Sequence, residues 1–211
     1  MTGEAAKDAD KVTAPPSHMA VGRPSPRAAE RILEVARNLF YRQGIRAIGV
    51  DEIVRRAGVT KPSLYRSFSS KDELAASYLR LYEVEFWKRF DAAVAKHPGE
   101  PRKQILAFLA GIGTRAVMPD YRGCGMTNAA IEYPEIGHPA RLVGEANKSE
   151  LRSRLRAMAT EMGARNPDIL GDGLLLLIEG AYVSGQLFGP GGPAASIAAN
   201  ADLLIEASLR R

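Results

Sequence analysis

The sequence predicts an all-α protein, and three observations lead to that prediction. Apolar residues recur at intervals of three and four positions along most of the chain after residue 26. Glycine and proline interrupt this pattern at the positions where helices commonly end. No stretch shows the alternation of apolar and polar residues that is typical of a strand, and the chain has neither a repeat of about 20–50 residues nor a heptad run.

The N-terminal region divides into an arm and two helices. Residues 1–24 are rich in Ala, Asp, Lys and Pro without an apolar period, which predicts a disordered arm. Ser25-Pro26 suits a helix start, because serine caps the helix and proline is tolerated in its first turn. The first helix should end at Gly44, and a second should run from Val50 to Ala57 before Gly58.

The following segments are also predicted to be helical. Thr60 suits the N-cap of a third helix that reaches Phe68, with Leu64 and Phe68 on its buried face. Ser70 and Glu73 form a capping box for a fourth helix, which continues to about residue 96. The remaining predicted helices are Pro101–Met118, Cys124–Glu132, Pro139–Met162, Asp168–Phe188 and Ala194–Leu209.

Charge and cysteine content narrow the function classes. The net charge is +5, and the basic residues are concentrated between residues 20 and 71. Such an excess is typical of a nucleic-acid-binding module, although a solvated charged face would look the same. The single Cys124 excludes an intramolecular disulfide, and no apolar run approaches the roughly 20 residues of a membrane span. We therefore expect a cytoplasmic protein.

The two short helices around Gly58-Val59-Thr60 predict a helix-turn-helix. In this motif the second helix enters the major groove of DNA and presents its N-terminal residues to bases and phosphates. Thr60, Lys61 and Ser63 lie at that leading end. Tyr65 and Arg66 are predicted to point outward, with a phenol and a guanidinium that can donate hydrogen bonds to DNA. The alternative is that Tyr65 belongs to the core and Arg66 is merely solvated.

Residues 27–90 resemble the TetR/AcrR family of bacterial transcriptional regulators. The resemblance rests on ILEVARNLFYRQGIRAIGVDEIVRRAGVTKPSLYRSFSSKDEL. It implies a three-helix DNA-binding domain over residues 25–70, followed by a helical effector-binding and dimerisation domain over residues 71–211. Gly49 departs from the family pattern, because many members have a hydroxyl residue there. The family's DNA contacts map onto Arg23 in the basic arm and onto Thr60, Lys61, Ser63, Tyr65, Arg66 and Lys71.

The resemblance further implies a pocket for a small-molecule effector in the second domain. An aromatic or methionine side chain on a helix is as a rule part of the core, so each candidate has that alternative role. The predicted lining residues are Trp87, Phe90, Phe108, Tyr121, Met126, Asn128, Glu132 and Tyr133.

The last two predicted helices favour pairing of two copies. Asp168–Phe188 carries small residues such as Gly173 and Gly180, and Ala194–Leu209 carries an apolar stripe from Ala194 to Ile205. Small residues let helices approach closely, so the two pairs could form a four-helix bundle about a two-fold axis. The alternative is that they pack within one subunit. We expect a homodimeric repressor that a small molecule releases from a palindromic double-stranded DNA operator.

Two other function classes compete with this prediction. One is a helical small-molecule-binding module that does not contact DNA. The other is an enzyme in which Cys124, His138 and Glu132 serve as nucleophile, base and orienting group, although no local motif supports that arrangement. The three histidines are scattered, with no pair at a spacing of four, so we expect neither a metal site nor a cofactor.

Overall fold

The computed structural model describes residues 26–210, and within them the chain is all-helical. The predicted arm at residues 1–24, together with Ser25, lies outside the described residues. The helices are α1 (Pro26–Gln43), α2 (Val50–Ala57), α3 (Lys61–Ser67), α4 (Lys71–Val94), α5 (Pro101–Ala116), α6 (Gly125–Glu132), α7 (Pro139–Glu161), α8 (Pro167–Phe188) and α9 (Ile197–Leu209), with a 3-10 turn at Pro193–Ser196 before α9. The predicted fold class is confirmed.

The first three helices enclose a small core. Ile32, Ile53 and Leu64, one from each helix, are completely buried. Gly58 ends α2 in a left-handed conformation with φ of 62°, which turns the chain steeply toward α3. Phe68 is buried as predicted, but it follows α3 in extended backbone rather than forming its last turn.

Helices α4 to α9 form the larger part of the molecule. The long α4 packs against α1 on one side and against α5 and α7 on the other. Helices α7 and α8 approach closely at Gly171, where an added Cβ would lie 2.8 Å from the backbone nitrogen of Arg156. None of the helices between residues 26 and 210 has the length and apolar character needed to cross a membrane.

The apolar stripe of α9 is buried inside the chain, which corrects one part of the sequence interpretation. Ala194, Ile197, Ala201 and Ile205 are at most 3% exposed. They pack against α5, where an added Cβ on Gly113 would meet the carbonyl oxygen of Ala194 at 2.9 Å. The helical spacing of the apolar residues could not distinguish packing within one subunit from a dimer contact, since both bury the same face of α9. Any surface that α9 offers to a partner must therefore be a different one.

Candidate functional site

The exposed end of α3 is the first part of the candidate site. Thr60 accepts a hydrogen bond from the backbone N–H of Ser63 at 3.4 Å and so caps the helix. Buried Leu64 anchors the helix from below, while Tyr65 is 46% exposed and Arg66 is exposed beside it. The leading turn of α3 is consequently open to solvent.

Lys61 forms an ion pair across the turn between α2 and α3. Its Nζ lies 3.0 Å from Oδ1 of Asp51, and both side chains are largely exposed. The hydrogen bond to Asp51 raises the pKa of Lys61, so the ammonium remains charged. Because a solvent-exposed ion pair contributes little to stability, Lys61 can exchange the carboxylate of Asp51 for another anion at small cost.

Glu132 connects the α1–α2 loop to α6. Its Oε2 accepts a hydrogen bond from the backbone N–H of Arg46 at 2.7 Å, and its carbonyl oxygen accepts another from Nη1 of Arg46 at 3.0 Å. Lys71 supports the same loop, because its Nζ donates to the carbonyl oxygen of Arg46 at 3.3 Å. Burial lowers the pKa of Lys71. The α1–α2 loop thus provides one connection between the helix-turn-helix and the larger part of the chain.

A second connection runs through Tyr41 at the C-terminal end of α1. Its hydroxyl donates to the carbonyl oxygen of Gly123 at 3.3 Å and accepts from the backbone N–H of Arg122 at 3.1 Å. Its ring stacks on Tyr82, with the centroids 6.2 Å apart. An ion pair of 3.1 Å between Arg42 and Asp120 lies at the same junction. Helix α1 therefore contacts the segment that joins α5 and α6.

A cavity of about 250 Å³ opens beside this connection. Helix α1 contributes Arg37 and Tyr41 to its wall, and α4 contributes a face that includes Tyr78, Tyr82 and Arg89. The opposite wall consists of Arg115 from α5, Tyr121 from the following segment and Tyr182 from α8. The cavity is thus formed jointly by α1, which belongs to the N-terminal three-helix unit, and by α4, α5 and α8 of the larger part.

The polar groups of this cavity are incompletely satisfied. Within the described residues, Nε of Arg89 and the hydroxyl of Tyr121 are buried without a hydrogen-bond partner. Burial, and secondly the charge of Arg89, lower the pKa of Arg115. Burial also raises the pKa of Tyr78, Tyr121 and Tyr182 above the ordinary value for tyrosine, so these phenols remain neutral donors.

The three residues of the enzymatic alternative have separate partners. Cys124 is buried and accepts a hydrogen bond from Nζ of Lys148 at 3.4 Å. His138 caps α7 and stacks on Tyr133, with the ring centroids 3.7 Å apart. Glu132 binds Arg46, as described above. Each group has a role in local structure.

Comparison with known proteins identifies the family. A family model described as bacterial regulatory proteins of the tetR family matches residues 32–78. The HTH-type transcriptional regulator AcrR of Shigella flexneri is 35% identical over 55% of this chain, and the chain spans 51% of that regulator's length. A putative TetR transcriptional regulator from Streptomyces avermitilis, whose crystal structure is known, is 32% identical in sequence to this chain. The alignment covers 87% of this chain and 99% of that protein, and the two structures superpose with a TM-score of 0.66.

This chain belongs to the TetR family of transcriptional regulators. A TetR-family transcriptional regulator from Streptomyces coelicolor gives a TM-score of 0.77 at 29% identity, over 87% of this chain and 95% of its own. The predicted family, the helix-turn-helix fold and the DNA-binding regulatory function are therefore confirmed. The TetR family is not a family of enzymes, which decides against the catalytic alternative.

In the structure of this TetR-family chain, the residues predicted to bind the effector lie at several separate places. Tyr121 lines the cavity. Trp87, Phe90 and Phe108 form an edge-to-face aromatic cluster, with the ring centroids of Phe90 and Phe108 5.0 Å apart. Met126 is completely buried in the core.

The polar members of that predicted set also lie elsewhere. Asn128 donates to the carbonyl oxygen of Arg122 at 2.7 Å, and together with Glu132 it lines a shallow depression beside Gly44. Tyr133 stacks on His138, and burial raises its pKa to about 12. Among the predicted DNA contacts, Arg23 lies outside the described residues.

Sequence reasoning missed the residues that line most of this cavity in the TetR-family chain. The signal was present on α4, where Tyr78, Tyr82 and Arg89 lie at positions i, i+4 and i+11 and so share one helix face. A helix face that mixes tyrosine with arginine differs from an ordinary core face, which is apolar. The contribution of Arg115 from α5 could not be read in this way, because it depends on how the two helices pack.

Proposed function

We propose that this TetR-family chain is a ligand-responsive repressor that binds a palindromic operator as a homodimer and is released by a small molecule. The observation that carries the proposal is the cavity shared by α1 of the helix-turn-helix and by α4, α5 and α8. The curated relatives include both a repressor and an activator by name. Repression is the simpler device here, since a ligand between two modules needs only to disturb their relative placement.

The proposal assigns DNA binding to residues 25–70 and effector binding and dimerisation to residues 71–211. Arg23, Thr60, Lys61, Ser63, Tyr65, Arg66 and Lys71 remain the proposed DNA contacts. The exposure of Tyr65 and Arg66 and the exchangeable pair of Lys61 with Asp51 support this assignment. Lys71 also donates to the loop carbonyl of Arg46, so we expect it to position the module in addition to contacting phosphate.

An exposed apolar stripe on α8 supports the homodimer. Ile169, Leu176, Val183 and Leu187 recur at intervals of seven, seven and four residues, and they are between 46% and 73% exposed. Gly180 lies in the same stripe, and an added Cβ there would meet nothing within 4 Å. Leu203 on α9, 70% exposed, provides a further apolar contact. Pairing of two such faces would bury them and hold the two reading helices at half-sites about 34 Å apart.

The proposed response to ligand follows from linkage. A ligand alters DNA affinity only if it binds one arrangement of the two modules better than another. A molecule in the cavity would contact α1 directly, and α1 is joined to the body by the hydrogen bonds of Tyr41 and by those of Glu132 to Arg46. A displacement of α1 would therefore move α3. Coupling of about 1–3 kcal/mol would change operator affinity by about 5- to 150-fold.

Selection of bound fragments from genomic DNA of the source bacterium tests the proposed operator. We expect fragments with an inverted repeat, bound at least about 1,000-fold more tightly than random DNA. The logarithm of the binding constant should fall linearly with the logarithm of salt concentration, because lysine and arginine displace counterions from phosphates. Equal affinity for random and selected fragments would contradict sequence-specific regulation.

Glu132→Ala should loosen the connection between the two modules. Removal of the carboxylate leaves the backbone N–H of Arg46 without its acceptor, and a hydrogen bond to a charged group contributes about 1.5–3 kcal/mol. Amide exchange in the α1–α2 loop should therefore accelerate about tenfold or more, as measured by hydrogen–deuterium exchange with mass spectrometry. Glu135→Ala, at an exposed neighbouring carboxylate, is the matched control. Unchanged exchange in Glu132→Ala would show that this contact does not hold the loop.

A further inference from the structure

We propose that the cavity takes an aromatic carboxylate of one or two rings, held by Arg89 and Arg115. This assignment rests on the proposed function, in which the same cavity is the effector site. It adds the chemical class of the effector, which the charge, the walls and the size of the cavity indicate.

The cavity contains positive charge that the described residues do not neutralise. Among residues 26–210, no carboxylate forms an ion pair with Arg89 or Arg115, and Nε of Arg89 is buried without an acceptor. The two guanidinium groups lie close enough that the charge of Arg89 disfavours that of Arg115. Both arginines are half-buried, and partly buried charge without a partner is unfavourable, so an anion in the cavity would stabilise the site. A guanidinium can bind a carboxylate through two parallel hydrogen bonds, which makes the carboxylate the natural match.

The remaining charged groups do not reverse this balance. Glu85 is the acidic residue among the lining side chains, and its Oε1 lies 2.9 Å from Nζ of Lys88 on the same helix. The hydrogen bond to Lys88, and to a lesser degree the charges of Arg89 and Arg37, lower the pKa of Glu85, so that carboxylate stays ionised. Its direct partner is Lys88, and its single negative charge offsets only part of the positive charge of the arginines. Arg37 adds a third guanidinium at the α1 edge of the cavity.

The tyrosines supply flat walls and one free donor. Tyr78, Tyr82 and Tyr182 line the cavity with rings, on which an aromatic ligand can stack or pack edge to face. The hydroxyl of Tyr121 is buried without a partner and can donate to a carboxylate oxygen. Aromatic walls alone would also suit a cation, as in the aromatic cages that bind quaternary ammonium groups. The arginines decide between the two, because they repel a cation and attract an anion.

The volume sets the size of the ligand. At about 250 Å³ the cavity is slightly smaller than the usual ligand pocket, whose range begins at about 300 Å³. One or two fused rings with a carboxylate fit such a space, whereas larger ligands would need the walls to move apart.

Matched acids and amides test the charge requirement directly. Benzoate, phenylacetate and 2-naphthoate would be titrated into the purified full-length protein by isothermal calorimetry, alongside benzamide, phenylacetamide and 2-naphthamide. For at least one pair we expect the acid to bind about tenfold or more tightly than its amide, because only the acid neutralises the two guanidinium groups. Arg115→Gln should reduce this ratio to about threefold or less, and Arg115→Lys should retain part of it, since charge remains but the fork is lost.

Two further variants provide a second test of the site and a control for the loss of one positive charge. Arg89→Gln provides a second test of the same site if Arg115→Gln fails to fold, as judged by circular dichroism. Arg210→Gln removes one positive charge at an exposed terminal position and should leave the ratio unchanged. Binding of no acid, or equal binding of each acid and its amide, would overturn the proposal, as would an acid preference that survives both Arg89→Gln and Arg115→Gln.

The outcome for the effector class is separable from the outcome for the proposed function. If the acids bind through the arginines but leave affinity for the selected operator unchanged, the site is an anion site and the ligand-responsive function fails. If the operator affinity responds to neutral or cationic compounds and not to the acids, the function stands and the anion proposal fails.

Discussion

Leu176→Glu is expected to convert the protein from a dimer to a monomer. Leu176 is 73% exposed at the centre of the apolar stripe on α8. In an isologous interface every substitution occurs twice, and burial of a leucine contributes about 1.5–3 kcal/mol. The loss of two buried leucines therefore amounts to about 3–6 kcal/mol, or roughly 100- to 10,000-fold in the dimer dissociation constant. Sedimentation velocity measures the change directly.

The monomeric variant should also lose operator affinity, because a single helix-turn-helix reads one half-site. Leu142→Glu makes the same substitution at an exposed position on α7 and should leave the dimer intact. Circular dichroism should show unchanged helicity in both variants, since both side chains are exposed within the subunit. A Leu176→Glu protein that remains dimeric would place the interface on another surface.

Tyr65→Ala is expected to weaken operator binding strongly without affecting the fold. Tyr65 is 46% exposed on α3, next to the leading turn that the helix-turn-helix presents to the major groove. A hydrogen bond from the phenol to a phosphate contributes about 1.5–3 kcal/mol, and the proposed dimer would contain two such residues. We therefore expect the operator dissociation constant to rise by about two orders of magnitude or more when measured by fluorescence anisotropy.

Two further variants test whether the loss of operator binding comes from the phenolic hydroxyl and whether it is specific to α3. Tyr65→Phe removes the hydroxyl alone and should show most of the loss if the phenol donates to the phosphate. Leu81→Ala truncates a side chain of similar exposure, 42%, on α4 and should bind the operator normally. Normal operator binding by Tyr65→Ala would exclude this residue as a DNA contact.

The capping and turn residues of this chain agree with the helices in the structure. Ser70 caps α4 by accepting the N–H of Glu73 at 3.1 Å, as the capping-box spacing predicts. Gly58 adopts the left-handed conformation that the turn between α2 and α3 requires. Gly49 precedes α2 without a side-chain cap, as its missing hydroxyl implies. These features depend on residues within a few positions of one another, and the sequence displays such relations directly.

The proposed effector cavity depends on contacts that cannot be predicted from neighbouring residues in the sequence. The aromatic residues Trp87, Phe90 and Phe108 were reasonable candidates for its walls, yet they pack on one another. Arg89 and Arg115 come from different helices and meet because α4 and α5 pack together. The same applies to Glu132, whose contact with Arg46 spans 86 residues of sequence.

By itself, the sequence determined that the chain is helical, where its helices begin and end to within a few residues, and that α2 and α3 form a helix-turn-helix. These properties follow from spacing, capping and turn chemistry, which act over a few residues. Only the tertiary structure decided which apolar faces are buried within the chain, as on α9, and which remain exposed, as on α8. It also decided which charged groups lack a partner, because burial and pairing depend on helices that are distant in sequence and adjacent in space.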